Sequence, residues 1–136
     1  MPTNVLIVED EFLIALEMEE VIRDLGYTSA GIADNRSAAL AIANDTVDVA
    51  LVDVNLADGA TGPSIGAQLA SNYGIEVVFV TANPHQLGDG VVGTLGAVEK
   101  PVDLADLAEV LDFVLALKRD DVTPSPPPRL RLFNAA

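Results

Sequence analysis

Val47-Asp48-Val49-Ala50-Leu51-Val52-Asp53-Val54-Asn55 is the stretch on which the reading of this 136-residue chain turns. Four apolar residues, Val49 to Val52, run directly into the carboxylate of Asp53, and the turn formers Asp58 and Gly59 follow soon after. So short a run, bounded by turn signals, reads as a buried central strand. A strand buried on both faces belongs to a parallel sheet flanked by helices. In such sheets the chemistry collects just beyond the carboxyl ends of the strands, which is where Asp53 would stand.

The same pattern recurs on either side. Val5-Leu6-Ile7-Val8 is a second apolar run and ends in Glu9-Asp10-Glu11. From Phe12 to Leu25, Ile14, Met18, Val21, Ile22 and Leu25 fall at helical spacing, and Gly26 closes the segment. Tyr27 to Ala33 reads as a weaker strand, after which Asp34 or Asn35 caps an alanine-rich helix from Arg36 to Asn44. Beyond Asp53, Thr61-Gly62-Pro63 opens a helix that turns Ile65, Leu69 and Ala70 inward and ends at Tyr73-Gly74. Glu76 to Thr81 is the fourth strand. A fourth helix is expected over Pro84 to Val92, short or poorly ordered, because Gly88 and Gly90 each cost roughly 1 kcal/mol against alanine. A fifth strand, Leu95 to Glu99, runs into Lys100-Pro101, and Asp103 caps a last helix carrying Leu104, Leu107, Leu111, Val114, Leu115 and Leu117. Five alternations of strand and helix predict a doubly wound α/β fold.

Residues 1–118 are expected to form this domain, and 119–136 a flexible Pro-rich C-terminal tail. Thr123 to Pro128 should be extended polyproline. Arg129-Leu130-Arg131-Leu132-Phe133 alternates basic and apolar residues, as a docking strip for a partner or an unfolded end would.

The formal charge is −14, and before residue 118 the basic residues are Arg23, Arg36 and Lys100 alone. So acidic a body repels phosphate backbones, which argues against direct nucleic-acid binding. The absence of cysteine excludes disulfides, thiolate catalysis and cysteine-ligated metal. Nothing near Met1 reads as a signal peptide or membrane span, so the expected location is the cytoplasm, without membrane contact. His85, the sole histidine, reads as a surface loop residue in preference to a relay histidine or a metal ligand.

Four strand ends carry a polar signature: Glu9-Asp10, Asp53, Thr81 and Lys100. In a parallel sheet all of them project to one edge. Carboxylates gathered there repel one another unless a counter-charge is present. A hard, oxygen-seeking divalent cation such as Mg²⁺ supplies it, and Lys100 adds a second positive charge. Beside both, the role expected of Asp53 is that of a nucleophile.

In order and spacing, Val8-Glu9-Asp10-Glu11, Leu51-Val52-Asp53-Val54-Asn55, Val80-Thr81-Ala82 and Glu99-Lys100-Pro101 resemble the receiver domain of two-component response regulators, over about residues 4–118. The resemblance implies a flavodoxin-like fold with five helices and a five-stranded parallel sheet in the order 2-1-3-4-5. It also implies phosphoryl transfer to Asp53 from a sensor histidine kinase or a histidine phosphotransfer protein. Mg²⁺, or Mn²⁺ in its place, would be held by Asp10, Asp53 and the backbone carbonyl of Asn55, with Glu9 acting through a bound water. Lys100 would pair first with the Asp53 carboxylate and then with the phosphoryl group. Thr81 would donate its hydroxyl to a phosphoryl oxygen, helped by the amide of Ala82. The side chains of Asn55 and Asn83 would tune hydrolysis, although Asn83 reads equally well as a turn residue before Pro84.

The resemblance implies a signalling phosphoacceptor, not an enzyme beyond slow self-dephosphorylation. As a stand-alone receiver it would act on a downstream protein through the face of its fourth helix, fifth strand and fifth helix. It would do so as a monomer or a weak, phosphorylation-linked dimer. Two departures bear on the switch. Ala97 stands where the family usually places a Tyr or Phe, and Ala57 where a proline is common. With Gly88, Gly90, Gly93 and Gly96 nearby, the expectation is that phosphorylation biases the order of the fourth helix instead of a ring's rotamer. The alternative is a phosphatase or phosphotransferase resembling the haloacid dehalogenase group, whose Asp-x-Asp nucleophile motif Asp53-Val54-Asn55 lacks. A scaffold-only pseudo-receiver sits poorly with the full acidic, Thr and Lys set. A flavodoxin-like cofactor binder sits poorly with the missing phosphate loop after the first strand.

Overall fold

The computed structural model describes residues 3–119 and 125–133. In chain order come β1 (Asn4–Val8), α1 (Phe12–Asp24), β2 (Thr28–Ala33), α2 (Arg36–Ile42), β3 (Val49–Val52), α3 (Gly62–Tyr73) and β4 (Glu76–Thr81). A 3-10 helix (Pro84–Leu87), β5 (Gly96–Glu99), α4 (Leu104–Lys118) and β6 (Leu130–Leu132) complete it. The sheet order is β2-β1-β3-β4-β5-β6. Its first five strands run parallel, and β6 lies antiparallel on β5.

Every residue of β3, and every residue of β1 from Val5 on, is buried. Successive strand residues point to opposite faces. Val5, Ile7, Val49, Leu51, Val78 and Val80 therefore meet α1 and α4. Leu6, Val8, Ala50, Val52, Val77 and Phe79 meet α2 and α3. Each Val, Leu, Ile or Phe among them contributes about 1.5–3 kcal/mol when fully buried. An uninterrupted apolar run is what a strand covered on both sides requires.

The helix starts follow from their caps. Asn35 Oδ1 accepts the Ala38 amide at 2.9 Å, and Asp103 Oδ1 accepts that of Asp106 at 2.8 Å. The second helix stops at Ile42, short of the expected Asn44. Asn44 instead accepts the amide of Thr46 on its side-chain oxygen at 2.8 Å and turns the chain into β3.

Two expectations are corrected. The fourth helix shrinks to the 3-10 turn Pro84–Leu87, because Gly88 and Gly90 adopt left-handed φ values of +57° and +121° that an α-helix cannot absorb. The described residues thus hold four α-helices instead of five. The sheet has six strands instead of five, since part of the segment expected to be a flexible tail pairs with β5. Gly96 permits this approach: a Cβ there would overlap the Arg131 carbonyl oxygen. Thr123 and Pro124, the start of the expected polyproline stretch, lie outside the described residues. No helix among the described residues is long and apolar enough to cross a membrane.

Candidate functional site

Strand register assembles the site. Val8 stands beside Val52, so Glu9 and Asp53 leave β1 and β3 together, and the Asp53 amide donates to the Val8 carbonyl at 2.8 Å. Thr81 stands beside Glu99, so Lys100 follows at the same edge, its amide donating to the Thr81 carbonyl at 2.8 Å. The Lys100–Pro101 peptide is cis. Glu9, Asp53 and Thr81 are 2 %, 7 % and 1 % exposed, whereas Asp10 faces solvent.

Lys100 Nζ lies 3.0 Å from Asp53 Oδ2 and 3.0 Å from Glu9 Oε2, with Glu11 Oε1 further out at 3.8 Å. The contact with Asp53 is an aligned hydrogen bond. Glu9 Oε2, equally close, is buried and pairs with the same ammonium as an ion. Burial pushes the Glu9 carboxyl up to about 7, against the Lys100 ammonium and the Glu11 amide, which pull it down. Burial alone would lower the Lys100 ammonium, but its contacts with Glu9 and Asp53 carry it above the usual lysine value. The lysine is therefore a fixed positive charge at the centre of the cluster.

One carboxylate oxygen from each of Glu9, Asp10 and Asp53 lies within 4.8 Å of the other two. Three clustered carboxylates that share a single ammonium offer the hard oxygen donors and surplus negative charge that a divalent cation completes. These three residues could hold one.

Lys100→Ala would leave Glu9 and Asp53 buried without their ammonium. Removing one partner of a buried pair costs on the order of 3 kcal/mol. Thermal unfolding in EDTA should show that loss, and added Mg²⁺ should restore more stability to the variant than to the unaltered chain. Equal Mg²⁺ increments in both would show that the lysine does not balance these charges.

The remaining predicted residues are spread around the cluster. Thr81 Oγ1 accepts the Asn83 amide at 3.2 Å, while the Asn83 side chain is exposed and caps nothing. Ala82 lies beside Lys100 in the wall of an apolar recess of about 320 Å³ between α1 and α4, with Ile14, Met18, Val80 and Leu107. The Asn55 side chain turns to Gln86, the two amides exchanging bonds of 3.3 and 3.2 Å. His85 is exposed on the 3-10 helix. Ala97 stands apart from the cluster, buried in β5 between Phe79 and Arg131.

Two contributors escaped the sequence reading. Gln86 carried no signal, because its partner is distant in the chain. Gly62 read only as a helix start, yet a Cβ there would overlap the Asp53 carbonyl oxygen and lie 2.7 Å from Val54 Cα. Helix α3 can press against the backbone of Asp53 because that position has no side chain.

Residues 5–112 match the response regulator receiver domain. The chain is 36 % identical over 92 residues to the phyllosphere-induced regulator PhyR of Methylorubrum extorquens, covering 66 % of this chain and 34 % of that protein. It is 32 % identical over 123 residues to the sensory transduction protein RegX3 of Mycolicibacterium smegmatis, covering 88 % and 53 %. The chain thus spans between a third and about half the length of these relatives. The solution NMR structure of the Erythrobacter litoralis PhyR receiver domain superposes with a TM-score of 0.76 at 31 % identity, over 91 % of this chain and 95 % of that one.

Proposed function

The chain belongs to the response regulator receiver domain family, and on that premise we propose that it accepts a phosphoryl group on Asp53 from a phosphohistidine. The observation that carries this reading is the placement of Lys100 Nζ at 3.0 Å from both Asp53 and Glu9, where the strand ends meet. An Asp53 carboxylate oxygen attacks phosphorus, the P–N bond to the donor imidazole breaks, and the imidazole takes up a proton as it leaves. The product is an acyl phosphate. Such a transfer needs an in-line nucleophile and positive charge on the equatorial oxygens, and little else.

Lys100 holds the Asp53 carboxylate in place before transfer, then follows the phosphoryl oxygens. Thr81, buried at the end of β4, offers its hydroxyl to one of them, and the Ala82 amide a further donor. Glu9, Asp10 and Asp53, together with the Asn55 carbonyl, would hold Mg²⁺, which when bound neutralises charge on the phosphoryl group. Phe12 and Leu13, at the start of α1, are 65 % and 75 % exposed beside the site, and Leu104 at the start of α4 is 57 % exposed. That apolar rim is where the donor domain, of a sensor histidine kinase or a phosphotransfer protein, seats its helix.

The test is stoichiometric. With acetyl phosphate and Mg²⁺, intact mass should rise by one phosphoryl group per chain, and p-nitrophenyl phosphate should not be turned over repeatedly. Sustained turnover would favour a phosphatase and overturn the receiver reading.

A further inference from the structure

We propose that the outer edge of β5 is a strand-docking surface, filled by the chain's own residues 129–133, and that phosphorylation of Asp53 releases them. The inference rests on the reading of Asp53 given above. Its basis is a groove shaped for that segment.

Three positions are cut back to admit it. At Gly96 any side chain would collide with the backbone of Arg131 and Leu132. At Gly90 a Cβ would come within 2.5 Å of the Phe133 ring. At Ala97 the third concession is size. Strand β5 lies between the strands that carry Phe79 and Arg131, yet the Phe79 and Phe133 rings meet at 6.2 Å with a 40° tilt. Both rings pack in the cluster that holds Ala97 and Leu87. A large ring at position 97 would claim the space that Phe133 enters. The aromatic missing from β5 is supplied from 36 residues further along the chain.

The segment is fastened at both ends and in the middle. Leu130 is buried against the α1 and α4 side, and the Phe133 amide donates to the Leu95 carbonyl at 3.0 Å. Arg131 donates to the Gly88 carbonyl at 3.1 Å. Arg129 donates to the carbonyls of Glu99 at 3.3 Å and Pro101 at 3.2 Å, and lies 3.8 Å from Asp106. Glu99 and Pro101 are the residues on either side of Lys100. The loop that carries the site's ammonium is therefore the loop that the guanidinium grips. When Lys100 moves from the Asp53 carboxylate to a phosphoryl oxygen, the spacing of those two carbonyls changes and the grip on the segment fails. The freed edge then offers a row of backbone donors and acceptors to an extended strand of a partner.

Hydrogen exchange on the full chain, with and without beryllium fluoride and Mg²⁺ as the phosphoryl mimic, tests this. Occupancy is read from the bound fluorine resonance. Amides of residues 130–133 should exchange at least tenfold faster in the occupied form, while those of β1 and β3 are unchanged. Occupancy with unaltered protection at 130–133 overturns this inference and leaves the reading of Asp53 intact. Failure of the mimic to bind overturns both. Phe133→Ala and Gly96→Ala should each raise exchange at 130–132 without any mimic, Gly96→Ala more strongly. Protection at those residues equal to that of the unaltered chain in both variants would show that the groove does not hold the segment.

Discussion

Asp53→Asn is expected to take up no phosphoryl group from acetyl phosphate with Mg²⁺ present, against one per chain in the unaltered protein. The amide oxygen of asparagine is no nucleophile toward phosphorus, and the substitution removes one of the three carboxylates of the cluster. Folding should survive, because Asn keeps the shape of the side chain and Lys100 retains Glu9 at 3.0 Å. The loss would then be chemical, with circular dichroism unchanged. Labelling at the original level would place the acceptor elsewhere, and exposed Asp10 would be the first residue to examine.

The second large effect is structural in origin. Gly62→Ala should lower stability by about 1–3 kcal/mol, the usual cost of forcing extra volume into a packed interior. In melting temperature that is roughly 3–12 °C for a domain of this size. The atoms a Cβ would strike are backbone: the Asp53 carbonyl, Asp53 C at 2.8 Å and Val54 Cα at 2.7 Å. None can rotate away, so relief requires α3 or the Asp53 backbone to move. Misplacing a reacting group by 1 Å costs on the order of a hundredfold in rate. Labelling of Asp53 should therefore slow by about that factor even at temperatures where the variant is fully folded. A rate equal to that of the unaltered chain, measured below the melting transition, would show that the close approach does not position the nucleophile.

The parts of this molecule that could be read in advance are those where local pattern and global role coincide. Val49 to Val52 is apolar throughout because both of its faces are covered, and the carboxylate that follows must leave the core at the sheet's edge. Glu9, Asp53, Thr81 and Lys100 could be grouped before any coordinates because parallel strands end on one side. What escaped was set by contacts distant in sequence. Leu130-Arg131-Leu132 alternates as an edge strand should, but three residues are too few to outweigh the prolines before them. The meaning of Gly96 and Ala97 lies in what they make room for, and that occupant is more than thirty residues away. For the fourth helix the glycines pointed the right way, toward a short element, without showing that a 3-10 turn would be tied to the loop after Asp53 through Gln86.

The bridge between α4 and β6, residues 119–129, has a consequence for dosage. On the proposal that residues 130–132 leave that edge, carriage on the same chain would keep them competing for it at an effective concentration on the order of millimolar. A rival strand at micromolar abundance must therefore bind about a thousandfold tighter to share that edge equally. Output would then follow a threshold fixed by tether length, and lengthening the bridge would make the chain responsive to scarcer partners.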